Sequence, residues 1–309
     1  MTELDESGLP LLPPRPATGH KGTFGTVLIV GGCALNDHRM IGAPALAALG
    51  ALRAGAGLAK LAMPAPVLDA GLAACPSATG RGFPVDAAGQ LIPHTAAEVF
   101  DEMASEASSL VIGPGLGPGD GPAALALRAA QHEDAPVVID ADALNALAVV
   151  PQISRDFRAA AILTPHPGEF RRLAQALGIT HDPVHEQSRP LAAAALAQRM
   201  GCVVVLKGAG TVVSDGLKTW VCRRGHSCLA TAGTGDVLSG VLGGLLAAFA
   251  QRPSAGRLGL SLYDIARLGV TAHAAAGEAW ALRSGAQAGM LAAELADLIP
   301  GALETMRAG

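Results

Sequence analysis

At 309 residues, half of them hydrophobic and 16% charged, the chain can bury one large core or two modest ones, and its composition excludes a disordered protein. A formal net charge of -4 with only 3% aromatics, and no basic tract, argues against nucleic-acid binding. Glycine at 39 residues and proline at 21 fit tight loops and close helix–sheet packing, and fit a bias of genomic composition equally well.

Residues 1–19 are polar and proline-rich, and are expected to drape as a leader over a single domain spanning 20–309. Residues 25–31 read as a buried strand entering a glycine turn, 41–55 as a helix rich in alanine and leucine, and 57–63 as the next strand. Strand, helix, strand implies a parallel pair. The rhythm returns with helix 96–105 and strand 109–112, then helix 121–131 and strand 136–139. The loop Asp140-Ala141-Asp142 and helix 143–149 come next, then strand 160–163, the run 164–169 and a further helix. Helix 189–199 leads into strand 202–206. Residues 211–214 and 218–221, joined by Asp215-Gly216, read as an antiparallel hairpin. Beyond lie helices 236–249, 261–281 and 288–299, with 251–257 as a surface loop. Near-continuous apolar strands fit a sheet covered on both faces, and the hairpin makes that sheet mixed. The apolar run 237–250 is too short to span a bilayer. Five cysteines, an odd number without a CxxC pair, read as free thiols in a reducing compartment. An acidic N-terminus without a signal-peptide core adds to the expectation of a cytoplasmic protein.

The most informative stretch is Thr231-Ala232-Gly233-Thr234-Gly235-Asp236, which leads straight into the apolar helix. Gly233, Thr234 and Gly235 offer free backbone N–H groups at a helix start, which is an anion hole for a phosphate. Asp236 beside them would repel a phosphate, but it is well placed to take a proton from a hydroxyl that attacks a phosphoryl group.

Nearly every other polar outlier falls just after a strand, at the edge where open parallel sheets bind ligands. Gly113-Pro114-Gly115-Leu116-Gly117 lacks the G-x-G-x-x-G spacing of a dinucleotide loop and reads as a close backbone approach to ligand, or as a plain turn. His20-Lys21-Gly22 has no Walker A frame, and Lys21 is expected to be solvated. Asp140 and Asp142 can share a hydrated Mg²⁺ or hold a loop by accepting amide N–H bonds. His166, boxed between Pro165 and Pro167, suits a hydrogen bond to a polar ligand, while Glu169 reads equally well as a helix-cap residue. Lys207, Gly208, Ala209, Gly210 and Thr211 supply a cation, flexible amides and a hydroxyl, which suit a nucleotide phosphate or ribose.

Together these motifs resemble the ADP-dependent NAD(P)H-hydrate dehydratases of the ribokinase-like superfamily. The resemblance runs from about Arg15 to the helices after Asp236. It rests above all on Thr164-Pro165-His166-Pro167-Gly168-Glu169 and on Asp140-Ala141-Asp142-Ala143-Leu144-Asn145, since Gly233-Thr234-Gly235-Asp236 marks only the superfamily. It implies a three-layer α/β/α fold with a central, mostly parallel sheet and an edge hairpin. It also implies a repair reaction. ADP (or ATP), with Mg²⁺, phosphorylates the C6 hydroxyl of hydrated NADH or NADPH (NADHX, NADPHX), and loss of phosphate regenerates NAD(P)H and leaves AMP. By resemblance Ala43, Gly115, Gly117, His166 and Asp236 contact the hydrated dinucleotide, and Lys207 to Thr211 with Gly235 contact the nucleotide. A homo-oligomer, for example a tetramer, and a separate epimerase protein are further implications. Residues 226–232 depart from the family's usual run at His226, Ser227, Cys228, Leu229 and Ala232, while Gly233 to Asp236 match it.

Three other readings compete: a ribokinase-like kinase of a small alcohol such as a hydroxymethylpyrimidine or thiazole, a Rossmann dehydrogenase, and a non-catalytic binding module. The 163–170 block argues against the first, the misplaced glycine loop against the second, and Asp236 against the third.

Overall fold

The structure is a computed structural model, and it describes residues 3–5, 8–251 and 259–307. Its first part holds β1 (Glu3–Leu4), β2 (Thr26–Val30), β3 (Cys33–Ala34), β4 (Arg39–Met40), α1 (Gly42–Arg53), β5 (Leu58–Pro64), α2 (Ala65–Ala74) and β6 (Thr79–Phe83). Then come α3 (Pro93–Ala104), β7 (Ser109–Ile112), α4 (Asp120–Ala130), β8 (Val137–Ile139), α5 (Ala141–Leu147), α6 (Ile153–Asp156), β9 (Ala161–Leu163) and α7 (Pro167–Leu177). The last part holds α8 (Arg189–Met200), β10 (Val203–Leu206), β11 (Val212–Ser214), β12 (Lys218–Val221), α9 (Thr234–Phe249), α10 (Leu262–Ser284) and α11 (Ala292–Glu304).

Among the described residues, ten strands form one sheet in the order β1-β12-β11-β10-β9-β8-β7-β2-β5-β6. Only the β10–β11 and β11–β12 pairings in it are antiparallel, so the mixed edge hairpin expected from 211–221 is present. Side-chain alternation along the strands divides the core in two. Val27, Ile29, Val111, Val138, Ile162 and Val205 face α1, α9, α10 and α11. Leu28, Val30, Leu110, Ile112, Ile139 and Leu206 face α3, α4, α5, α7 and α8 on the other side. The result is three layers, helix–sheet–helix.

α1 and α9 pack backbone to backbone. A Cβ on Gly240 would lie 1.9 Å from the carbonyl oxygen of Ala47, so only glycine allows this approach. That contact fixes α9 against the sheet with its N-terminus at the carboxyl edge of the strands. Residues 3–5 are tied to the sheet edge and to α10: β1 lies parallel to β12, Tyr263 Oη donates to Asp5 at 3.0 Å, and Arg267 pairs with Asp5 at 3.2 Å. Of the loop expected at 251–257, only Gln251 is among the described residues. No helix of the described residues is long and apolar enough to cross a membrane.

Candidate active site

Five strand ends and the starts of four helices, α1, α5, α7 and α9, converge at the carboxyl edge of the sheet. β2 runs into Gly31 and Gly32, and the amide of Gly32 donates to the carbonyl of Pro114 at 3.0 Å, which draws the 113–117 loop over it. Gly113, at φ +118°, lets that loop lie flat on the end of β8, because a Cβ there would sit 1.8 Å from the Asp140 carbonyl oxygen. Ala43 in the first turn of α1 closes the other side, its methyl 3.3 Å from where a Gly115 Cβ would stand.

α5 begins at Ala141, two residues earlier than the sequence pattern indicates. Asp140 is therefore the N-cap residue, and Asp142 lies in the first turn instead of in a loop. Ala141, at φ +50°, turns the chain sharply between them. Asp142 holds the glycine loop, accepting the N–H of Gly117 at 2.9 Å. Asp140 points inward and is buried. It accepts from Lys207 Nζ at 2.6 Å and from Ser239 Oγ at 2.5 Å.

Lys207 is thus no solvated loop lysine. Its side chain is 19% exposed, and its Nζ also lies 3.9 Å from Glu169. Burial works against its charge, but Asp140 and Glu169 outweigh that and raise its pKa. Nζ reaches the turn at the start of α9, 3.7 Å from where a Cβ on Gly235 would be. Buried Arg189 braces the loop from beneath, donating to the carbonyls of Leu206 and Gly210. Within the loop Thr211 Oγ1 donates to the Gly208 carbonyl, and the Lys207 amide donates to Pro165 at 2.9 Å, tying this loop to that of His166.

His166 is the N-cap of α7. Its Nδ1 accepts from the amides of Gly168 at 2.9 Å and Glu169 at 3.4 Å, so the neutral ring carries its proton on Nε2. Glu169 completes a capping box by accepting the His166 amide at 2.8 Å. Both readings of Glu169 therefore meet: it is a cap residue, and it also sits inside the site. Burial, opposed by Lys207 and reinforced by Asp140, raises its pKa to about 7. Burial, then Lys207 and Arg172, lowers that of His166.

α9 starts at Thr234, so Asp236 lies inside the first turn and does not open the helix. Thr234 Oγ1 ties the preceding turn by donating to the carbonyls of Leu229 and Thr231, and His273 Nε2 meets the Thr234 carbonyl at 2.9 Å. Burial chiefly, then Asp140, pushes Asp236 to about 7 against the pull of Lys207. Among the described residues Asp236 alone of the site's carboxylates takes no side-chain hydrogen bond or ion pair. The departing run 226–232 is a self-capped turn: His226 Nδ1 accepts from the Cys228 amide, and Cys228 Sγ donates to the Gly277 carbonyl.

Lys21 stands apart. Its backbone packs on Gly57 ahead of β5, at the opposite, amino edge of the sheet, and its side chain is exposed. Sequence reasoning did not find Ser239, Arg189 or His273. Each acts through a contact distant in sequence and carries no local motif.

A glycine-rich turn at the start of α9, a carboxylate without a side-chain partner among the described residues and a partly buried lysine stand at the carboxyl edge of a three-layer, mostly parallel sheet, and that architecture is a ribokinase-like α/β fold. The family model described as NAD(P)H-hydrate dehydratase matches residues 27–301, and the chain belongs to that family. It is 37% identical over 286 residues to the ADP-dependent (S)-NAD(P)H-hydrate dehydratase of Neisseria meningitidis, covering 91% of this chain and 86% of that protein. It is 39% identical over 290 residues to the bifunctional NAD(P)H-hydrate repair enzyme Nnr of Coxiella burnetii, covering 93% of this chain and 52% of that protein. The chain thus spans about half the length of the bifunctional relatives it matches. The crystal structure of the ADP/ATP-dependent NAD(P)H-hydrate dehydratase of Bacillus subtilis, co-crystallised with ATP/Mg²⁺, superposes with a TM-score of 0.74 at 30% identity, covering 96% of this chain and 95% of that one.

Proposed function

We propose that this protein is an ADP- or ATP-dependent dehydratase that returns hydrated NADH and NADPH to their reduced forms. Asp236 carries the reading: it is the one unengaged carboxylate of the site, in the first turn of a helix whose start offers amides for a phosphoryl group. In this reading Asp236 takes the proton of the C6 hydroxyl, whose oxygen attacks the terminal phosphorus of the nucleotide. The amides of Gly233, Thr234 and Gly235 and the Lys207 ammonium balance the charge on the transferred group. The C6–O bond then breaks, the electron pair leaves with phosphate, and the ring nitrogen pair fills C6. C5 gives up a proton, its bonding pair forms the C5–C6 double bond, and the nitrogen recovers its pair. With its pKa near 7, Asp236 suits both giving and taking protons at neutral pH.

Ala43, Gly115, Gly117 and His166 take the hydrated dinucleotide, and Lys207 to Thr211 with Gly235 take the nucleotide. Support for this division is that the two sets lie on neighbouring loops joined by the Lys207–Pro165 hydrogen bond. Among the described residues no group of three His, Cys, Asp or Glu side chains could hold a metal ion. Asp140 and Asp142 already have partners, which fits a hydrated Mg²⁺ that arrives on the nucleotide phosphates and neutralises their charge. Asp142 and Asn145 would face its water shell. The protein works in the cytoplasm as a homo-oligomer, and an epimerase activity, prompted by the bifunctional relatives, supplies the reactive epimer.

The test is to incubate the protein with NADHX and ADP and to follow nicotinamide absorbance, AMP and phosphate together. Equal yields of NADH, AMP and phosphate are expected. AMP without recovered absorbance means a kinase that stops at the phosphorylated alcohol. No change in any of the three rejects the reading.

A further inference from the structure

α10 carries Gly269, His273 and Gly277 at intervals of four, which places them on one face. The two glycines let that face come close. A Cβ on Gly269 would lie 2.6 Å from the Leu242 side chain of α9, and one on Gly277 would lie 2.7 Å from Leu229 in the turn ahead of α9. Between them the half-buried imidazole of His273 crosses to the first turn of α9. Its Nε2 lies 2.9 Å from the Thr234 carbonyl oxygen. A carbonyl oxygen can only accept, so Nε2 carries the proton and donates.

The backbone does not need this bond for its own satisfaction. The groups that a helix leaves unpaired at its start are N–H groups, while carbonyls of the first turn have partners within the helix. What the bond fixes is a plane. A peptide unit is rigid, so the Thr234 carbonyl and the Gly235 N–H turn as one body. Glycine at 235 leaves that body loosely held on one side. Neither backbone nor packing demands glycine there: residue 235 is helical without a positive φ, and a Cβ would stand in open space facing the Lys207 ammonium at 3.7 Å. The missing side chain thus leaves room beside the Gly235 backbone, next to a positive charge, where an anionic group fits.

Resting on the phosphoryl site proposed above, we infer that His273 is a positioning residue for the transfer step: by holding the Thr234 carbonyl from α10 it fixes the Thr234–Gly235 peptide, and so aims the Gly235 N–H at the transferred group. The hydrogen bond on the carbonyl also polarises the peptide, which makes its N–H a stronger donor. The ring adds no charge of its own. Loss of hydration, helped by Lys207 and opposed by the Thr234 carbonyl, lowers its pKa to about 4, so it is a neutral donor at pH 7. His273 acts through the backbone and does not touch the ligand.

The experiment compares His273→Leu, which fills much of the space without a donor, with His273→Gln, whose amide donates at similar reach. Losing one donor of a preformed hole lowers kcat about 10²–10³-fold, and a donor that is only misaimed costs less, so the leucine variant should lose about 10–100-fold in kcat with NADHX and ADP. Its KM for NADHX should stay within about twofold, and the glutamine variant should recover part of the kcat loss. Equal kcat losses in the two variants, or a rise in KM for NADHX as large as the fall in kcat, overturn the inference. A second arm needs no ligand. The ¹⁵N order parameter of the Gly235 amide should be near the rigid value of about 0.85 in the wild-type and glutamine proteins, and should fall toward about 0.6 in the leucine variant. An order parameter that does not fall overturns the inference as well. If His273→Leu does not fold, His273→Ala takes its place, and failure of both to fold makes the contact structural and overturns the positioning role. A wild-type protein that fails to turn over NADHX counts against the proposed function instead, and the order parameter still decides whether His273 holds this peptide.

Discussion

Lys207→Met retains most of the side-chain stem and removes the charge that neutralises Asp140. The carboxylate left behind is 2% exposed and keeps only the Ser239 hydroxyl. Removing one partner of a buried ion pair costs about 3–5 kcal/mol, and the one-fifth exposure of Lys207 places this pair at the lower end, about 3 kcal/mol. Each kcal/mol lowers Tm by about 2–4 °C in domains of 150–250 residues, so a fall of roughly 6 °C or somewhat more is expected. Asp140→Asn should cost less, because Lys207 still has Glu169 at 3.9 Å. The double variant should then lose less than the sum of the two, with a coupling of about 2 kcal/mol. Urea denaturation of all four proteins measures this. Additivity to within about 0.5 kcal/mol, the scatter of independent sites, would refute the pairing. The same Lys207→Met protein, titrated with each ligand in turn, should lose ADP affinity more than NADHX affinity. Equal losses would reject the assignment of the 207–211 loop to the nucleotide.

Asp236→Asn should lower turnover of NADHX about 10²–10⁴-fold while leaving ADP binding in place, and near-wild-type turnover would sink its assignment as the base. Wild-type kcat/KM should climb as pH rises through about 7, where the carboxylate ionises. Because the folded-state pKa is raised, wild-type stability falls as pH climbs from the unfolded carboxylate range, about 4, to about 7, so the asparagine variant should gain relative stability across that window in thermal melts. His166→Ala removes a helix cap and should cost about 1 kcal/mol in stability and raise KM for NADHX, with KM for ADP unchanged and His166→Gln recovering part of the loss. An equal loss of ADP binding would mark His166 as structural only. Gly240→Ala drives a methyl into the Ala47 carbonyl and should destabilise the protein by about 3 kcal/mol in denaturant melts.

The central sheet is legible in the chain because its strands are buried on both faces. Residues 109–112 and 218–221 fall where the apolar runs put them, and β2 and β5 differ from the pattern by a residue or so at each end. β6 escapes that reading. Thr79-Gly80-Arg81-Gly82-Phe83 is an exposed edge strand held by backbone pairing to β5, with glycines that admit α2 closely, so it has no apolar run to see. The β3–β4 pair is missed because each strand is two residues long, too short to carry an apolar run or an alternation. In the site, the strand-end rule picks out Asp140, His166 and Lys207 correctly as neighbours. Their ionic links, and the presence of Ser239 and His273 among them, depend on how α9 and α10 are laid against the sheet. The two early helix starts have a common physical cause: N-cap residues Asp140 and Gly233 come before any periodic apolar signal begins.

The most direct test is the fate of the C6 oxygen. NADHX prepared by hydration in ¹⁸O-labelled water carries the label in its C6 hydroxyl. A single turnover with unlabelled ADP should place that label in inorganic phosphate, one atom per NADH formed, because the oxygen leaves bonded to phosphorus. Label recovered in water, with phosphate unlabelled, would show that the hydroxyl departs without ever being phosphorylated, and would contradict Asp236 and the Gly233–Gly235 amides as a phosphoryl-transfer site.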